Sequence, residues 1–397
     1  MRGTRQGLVD GVRDRLVRED GQRDGRALDD EQLAQALRAS GRVLGTTALR
    51  ELTRTARAEL YGAGPLQVLL DEPGVTDVLV NGPDEVWVDR GAGVERADVR
   101  LGGPDDVRAL AVRLAAAGGQ RLDDAAPVVD ARLPDGTRLH ALVAPVCEAG
   151  AVISLRVLRP HAFDLAALVR AGTVPPAWEG VLRELVARRA SVLVSGGTGT
   201  GKTTLLAALL ALVPGDERVV CVEEARELAP DHPHVVPLTA RRPNVEGAGG
   251  VDLADLVRAA LRMRPDRIVL GECRGAEVRE VLMALNTGHE GGLATIHAND
   301  VEVVPARLEA LAALAGMDRA AVAAQAVGGL DVVLHLRRAR RGTTTRRHLA
   351  QIGLVRTGER GALRVDVAAT WGGAGVPVAG PAHDAFARRW SLPGRAG

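Results

Sequence analysis

An apolar run, Ser191-Val192-Leu193-Val194-Ser195, leads directly into Gly196-Gly197-Thr198-Gly199-Thr200-Gly201-Lys202-Thr203, and Thr204-Leu205-Leu206-Ala207 then opens a helical pattern. Strand, glycine-rich loop and helix in that order are the setting in which G-x-x-x-x-G-K-[ST] holds phosphate. Glycines let successive backbone N–H groups curl around an anion, and the helix N-terminus adds its partial positive charge. The candidate nucleotide-binding residues are therefore Gly196, Gly197, Thr198, Gly199, Thr200, Gly201, Lys202, Thr203 and Thr204. In such a loop Lys202 reaches the β- and γ-phosphates and the Thr203 hydroxyl holds Mg²⁺, so ATP with Mg²⁺ is the expected ligand pair. Lys202 is the only lysine in the chain, all other basic residues being arginine. It stands where a compact ammonium suits phosphate and the broad guanidinium fork does not. A GTPase would need a second lysine in its Asn-Lys-x-Asp base reader, and the chain has none.

Cleaving a triphosphate also calls for a carboxylate at the end of a neighbouring strand. Val219-Val220-Cys221-Val222 ends in Glu223-Glu224, and Arg267-Ile268-Val269-Leu270-Gly271 ends in Glu272. A single glutamate at a loop is usually a solvated acid. Two strand-end acids in a chain with a phosphate loop read as catalytic, one set to hold the metal shell and the other to orient water, and the residues alone do not say which of Glu223, Glu224 and Glu272 does which. His289 and His297 bracket the short run Gly292-Leu293-Ala294-Thr295-Ile296 and are candidates for nucleotide sensing, His297 the stronger. No Cys or further His accompanies them at zinc-ligand spacing. Arg132, Arg138 and Arg156 lie late in a preceding domain, before a linker. Arg337, Arg338, Arg340, Arg341, Arg346 and Arg347 cluster around a turn, which reads as an exposed hairpin tip or else a contact for anionic lipid or an acidic partner.

The elements that must position these groups fall into five segments. Residues 1–60 carry helical spacing (Leu8, Val12, Leu16) broken by glycines and read as a helical arm. Residues 61–158 alternate short strands and turns, such as Asn81-Gly82-Pro83 and Pro134-Asp135-Gly136, around one helix at about 105–117, an α+β domain. Residues 159–176 read as a linker. Residues 177–370 alternate strand and helix, which predicts a parallel-rich sheet covered on both faces. The Gly/Pro-rich segment 371–397 reads as a mobile tail.

Composition narrows the function further. Of 397 residues 46% are hydrophobic and 25% charged, and the net charge is +1, so no chain-wide field recruits nucleic acid or membrane. Aromatics are 2%, which leaves few stacking platforms for single strands. This counts against the alternative of a RecA-like DNA translocase or helicase, which shares the same ATPase core. No apolar run is long enough to span a bilayer, and the N-terminus lacks a secretory h-region. Three scattered cysteines fit a reducing cytoplasm.

Taken together, Gly-Gly-Thr-Gly-Thr-Gly-Lys-Thr-Thr, the strand ending Glu223-Glu224, the segment Leu261 to Gly271-Glu272-Cys273-Arg274-Gly275, and Asn286-Thr287-Gly288-His289 to Thr295-Ile296-His297-Ala298-Asn299 resemble the CpaF/TadA-type tight-adherence and conjugal-transfer ATPases of the type II/IV secretion superfamily. Thr76 to Gly82 and Asp130 to Arg138 look like that family's PAS-like N-terminal domain. The resemblance covers about residues 60–340. It implies a RecA-like P-loop motor domain, a Walker A motif at 196–204, an Asp-box at Glu223 and Glu224, a Walker B motif at Gly271-Glu272, and a His-box ending at His297. It further implies Arg138 and Arg156 reaching the phosphates, a ring-shaped homo-hexamer, and a membrane platform partner met at the inner face of the cytoplasmic membrane. Two departures stand out: Glu224 replaces the usual Asp, and arginines follow Leu336 where relatives have a short Asp-Gly turn.

Overall fold

The computed structural model describes residues 30–38, 45–91, 93–148, 150–157, 164–241, 248–341 and 344–390. The helical run from Leu8 to Leu16 lies outside them. The chain divides into two compact units, 1–159 and 160–397.

The first unit begins with helices α1 (Asp30–Arg38) and α2 (Thr46–Tyr61). The expected arm has a small core of its own: Leu33 and Leu37 pack against Leu49, Leu52 and Ala56. After a short helix α3 (Gln67–Leu70) come β1 (Asp77–Gly82), β2 (Glu85–Asp89), β3 (Val94–Arg96), α4 (Pro104–Ala117), β4 (Val128–Arg132), β5 (Arg138–Val143) and β6 (Ala151–Arg156). They form one antiparallel sheet in the order β3-β2-β1-β6-β5-β4. Period-two alternation buries Val78, Val80, Leu139, Ala141, Ile153 and Leu155. The stripe Val107, Leu110, Ala111 and Leu114 of α4 joins the same core. The Asp106 carboxylate accepts the Gly103 N–H at 2.8 Å and fixes the start of α4.

The second unit opens with α5 (Leu165–Arg170), inside the stretch read as linker. Leu165 and Leu168 are buried in this unit's core. Next come α6 (Pro176–Ala187), β7 (Val192–Gly196), α7 (Lys202–Leu210), β8 (Val219–Glu223), β9 (Val235–Thr239), α8 (Leu253–Ala260), β10 (Arg267–Cys273), α9 (Val278–Asn286), β11 (Leu293–Ile296), α10 (Val304–Leu314), α11 (Arg319–Gly329), β12 (Val332–Arg341), β13 (Thr344–Thr357), β14 (Leu363–Thr370), β15 (Val378–Ala379) and α12 (His383–Trp390). The sheet order is β15-β14-β13-β12-β7-β11-β10-β8-β9. From β12 to β9 every pairing is parallel, and β13 to β15 extend the sheet antiparallel. The parallel strands are apolar on both faces because helices cover both, as their unbroken Val/Leu/Ile runs require.

The segment read as a mobile tail differs from that expectation up to residue 390. β15 pairs with β14, and α12 buries His383, Phe386 and Trp390, with Phe386 and Trp390 packed in the same core as Trp371. The arginine cluster lies on a hairpin, as expected: β12 runs through Arg341 and β13 starts at Thr344, which places the arginines on paired strands, and Arg337, Arg338, Arg346 and Arg347 are exposed.

Candidate active site

β7 is the strand from which the site hangs. It is buried throughout and flanked by parallel β12 and β11, in register Leu336–Gly196 and Ile296–Ser195 respectively. Ligands bind at the carboxyl edge of such sheets, and here that edge carries the ends of β7, β8, β10 and β11.

The glycine-rich loop leaves β7 at Gly196, whose φ is +152° and whose missing Cβ would stand 2.7 Å from both Leu336 O and Thr200 Oγ1. Only glycine fits that approach. Thr200 Oγ1 donates to Gly197 O at 2.9 Å and ties the loop across its base. Gly201, at φ +95°, caps α7, whose first residue is Lys202 and whose opening N–H groups lack helical partners. Thr203 and Thr204 are half-buried in that first turn. Lys202 is only 8% exposed, and its Nζ donates to Gly196 O and Gly197 O, each at 3.1 Å, so the ammonium lies under the loop.

The Lys202 Nζ also stands 3.3 Å from His297 Nε2, the first residue past β11. The same imidazole nitrogen meets Glu272 Oε1 in close contact. Burial first and the Lys202 ammonium second hold His297 below its ordinary value, against the pull of Glu272, so the ring is neutral at pH 7. Glu272 Oε2 accepts Arg274 Nε at 2.8 Å, and Arg274 Nη1 donates to Glu224 Oε2 at 2.8 Å. A continuous polar chain thus runs Lys202–His297–Glu272–Arg274–Glu224. Its carboxylate oxygen Glu272 Oε1 is buried, and the His297 ring nitrogen is the one side-chain contact shown for it among the described residues.

The two acids at the end of β8 are not equivalent. Glu223 is 4% exposed, and its Oε1 accepts the N–H groups of Glu227 and Leu228 at 2.9 and 3.0 Å, bracing the following turn. Its Cγ lies 2.8 Å from where a Gly271 Cβ would stand, so β10 passes it closely only because residue 271 is glycine. Glu224 is half-exposed and turned to Arg274. His289 precedes β11, at the opposite sheet edge from His297, with Nδ1 3.3 Å from Ala284 O, so the structure separates the two histidines.

Two buried thiols adjoin the acids. Burial, then Glu223, pushes Cys221 up to about 12, and burial, then Glu277, pushes Cys273 higher, so both stay protonated and neither is a nucleophile. Ser195 Oγ and His335 Nδ1 lie 3.0 Å apart, where β7 and β12 pair. Burial, then Arg337, pushes His335 down to about 4.

In the first unit Arg138 is in cross-strand register with Arg156 on one side and with Arg132 on the other. The acid-bridging Arg274 carried no assigned role in the sequence; its signal there was its place two residues after Glu272.

Mg²⁺ is usually held by one or two protein groups plus substrate phosphates. The Thr203 hydroxyl beside Lys202 and the Glu272 carboxylate, an oxygen donor at the end of β10, suit that donor set. Among the described residues no group of three or more His, Cys, Asp or Glu could hold a metal on its own.

The chain matches the family described as Type II/IV secretion system protein over residues 59–349. A Mycobacterium tuberculosis (strain ATCC 25618 / H37Rv) protein named for conjugal transfer is 53% identical over 335 residues, spanning 83% of this chain and 94% of its own. Type IV secretion system protein VirB11 of Brucella suis biovar 1 (strain 1330) is 32% identical over 273 residues, spanning 62% of this chain and 74% of its own. The solved Legionella pneumophila ATPase DotB shares the fold, with TM-score 0.52 and 20% identity over 71% of this chain and 77% of that one. The pilus retraction motor PilT, solved with bound ADP, gives TM-score 0.51 and 20% identity over 82% and 86%. The chain belongs to the type II/IV secretion system protein family. No single described helix is long and apolar enough to cross a membrane.

Proposed function

We propose that this chain is a Mg²⁺-dependent ATPase in which a RecA-like P-loop domain, working in a homo-hexameric ring, converts ATP hydrolysis into motion that drives pilus assembly or export through a membrane platform. The observation that carries the reading is the polar chain from the buried Lys202 Nζ through His297 and Glu272 to Arg274 and Glu224, set at the mouth of a glycine-rich loop. The names of the family's relatives, secretion proteins and ATPases, support it.

In this reading the loop amides of 196–204 and the Lys202 ammonium bind the triphosphate. Thr203 and Glu272 would hold Mg²⁺, which neutralises phosphate charge. Glu223 is committed to the Glu227 and Leu228 amides, which leaves Glu224, steadied by Arg274, to orient the attacking water. Neutral His297, placed between Lys202 and Glu272, is set to register the γ-phosphate. Arg138 stands in cross-strand register with Arg156 and Arg132, and we assign Arg138 and Arg156 to phosphate contact.

Steady-state phosphate release from the full chain tests the proposal. Lys202→Ala should abolish turnover while the thermal midpoint is kept, and Glu224→Gln should lower turnover while ATP is still bound. Full turnover by the Lys202→Ala protein would refute the site.

A further inference from the structure

The arginines of β12 and β13 find no use in the mechanism above, yet the sheet places them at the loop. β12 pairs in parallel with β7 up to Leu336–Gly196, and there β7 ends while β12 continues. The residues after Leu336 therefore overhang the glycine-rich loop. β13 returns antiparallel, with Arg338 directly opposite Arg347. Cross-strand partners share a face, so the two guanidinium stems leave the hairpin on the same side. Their positions are fixed by the loop glycines: a methyl group on Gly199 would come 3.5 Å from Arg338 Nη1, and one on Gly201 would come 3.9 Å from Arg347 Cδ. Arg337 and Arg346 fall on the other face by strand alternation. Arg337 pairs there with Asp300 at 2.7 Å, and Arg346 reaches toward Gly172.

We propose that Arg338 and Arg347 are nucleotide-binding residues, a cross-strand arginine pair that flanks the glycine-rich loop and holds the diphosphate common to ADP and ATP. Three observations converge on this. Two like charges directly opposite in an antiparallel pair repel, and a polyanion between them relieves the repulsion. Among the described residues Arg338 has no carboxylate partner, in contrast to Arg337. The acids of the site, Glu272 and Glu224, stand at the ends of β10 and β8, on the side of β7 away from β12. A phosphate chain on the loop would therefore have carboxylates on one flank and these arginines on the other. Arginine suits the task because its planar fork gives paired, charge-assisted hydrogen bonds to phosphate oxygens. The exposed hairpin tip expected from sequence thus becomes a wall of the nucleotide site.

The inference rests on the phosphate-binding reading of the loop, and equilibrium titration of the full chain with fluorescent ADP and a nonhydrolysable ATP analogue, in Mg²⁺ at 0.15 M salt, separates the two. Wild type binds both nucleotides and Lys202→Ala weakens both; binding of neither by wild type would sink the site reading itself. With that established, Arg338→Gln/Arg347→Gln should raise the Kd for ADP and for the ATP analogue alike by ~10-fold or more. Arg346→Gln, the same charge change on the opposite face, should stay within about 2-fold, since exposed charges at that range are screened. Should the double substitution lower the thermal midpoint, Arg338→Lys/Arg347→Lys keeps both charges without the fork and should still weaken binding by about 3-fold. An unchanged Kd in the Gln and Lys doubles, a loss confined to the triphosphate, or an equal loss in Arg346→Gln would each overturn the assignment.

Discussion

Gly196 and Gly197 are neighbours in one glycine-rich loop, and the structure assigns them opposite tolerances. At Gly196 an added Cβ would stand 2.7 Å from both Leu336 O and Thr200 Oγ1, where ordinary contact begins at 3.4 Å, and φ is +152°. Relieving the overlap means displacing β12 backbone or giving up the Thr200–Gly197 hydrogen bond. Overpacking of this kind costs roughly 1–3 kcal/mol, and a side chain at such a φ costs roughly 1–3 kcal/mol more. At Gly197 the nearest atom, Thr200 Cγ2, would be 3.8 Å away, an ordinary contact. Gly196→Ala should therefore lower stability by at least ~2 kcal/mol, which for a domain of this size is a fall of about 4 °C or more in the thermal midpoint. Gly197→Ala should leave the midpoint within about 1 °C of wild type. A thermal melt followed by circular dichroism reads both. Equal midpoints for the two variants would show that the close approach of β7, β12 and the loop is not as described.

Two further outcomes follow from the packing. The folded-state value of His335, about 4, lies below its ordinary 6.5, so the unfolded chain takes the proton more readily. Its contribution to stability is thus complete above about pH 6.5 and is lost as pH falls toward 4, to the extent of ~3 kcal/mol at most. Chemical denaturation at intervals from pH 7 to 4 should show a steeper decline for wild type than for His335→Leu, and parallel declines would contradict it. Phe386→Ala should destabilise the second unit by about 3–5 kcal/mol, because the ring is fully buried. Denaturation indistinguishable from wild type would restore the mobile tail.

Four of the parallel strands were legible because each is a short apolar run that meets a candidate site residue or loop: β7 before the glycine-rich loop, β8 at Glu223, β10 at Glu272 and β11 before His297. The order of those runs is written in the sequence, but their neighbourhood is not. That β11 lies between β7 and β10, and so brings His297 against both Lys202 and Glu272, is a property of sheet order that no local pattern encodes. The two glutamates at 223 and 224 looked interchangeable because burial is a tertiary property, and the turn at Glu227 and Leu228, which takes up one oxygen of Glu223, sets their surroundings apart. The C-terminal segment misled through its Gly and Pro content between 372 and 381. Its helix was nevertheless signalled by His383, Phe386 and Trp390 at i, i+3 and i+7, which a reading weighted to turn residues passes over. The arginine cluster was rightly read as an exposed hairpin, but its place over the loop was not legible, because the overhang of β12 past Gly196 depends on a register set far along the chain.

One consequence of the sheet order concerns where movement can arise. β7 is paired along both edges up to Ser195 and with β12 as far as Gly196, so the strand end that feeds the loop is among the more firmly held points of the second unit. Under the proposed function, a phosphate gripped there is moored to a firmly held point of the sheet. Under the proposed ATPase function, the stroke would then surface in what hangs from the neighbouring strand ends: the Arg274 turn, the Asp300 turn joined to Arg337, and the overhanging hairpin. The anchor and the lever are different parts of one sheet.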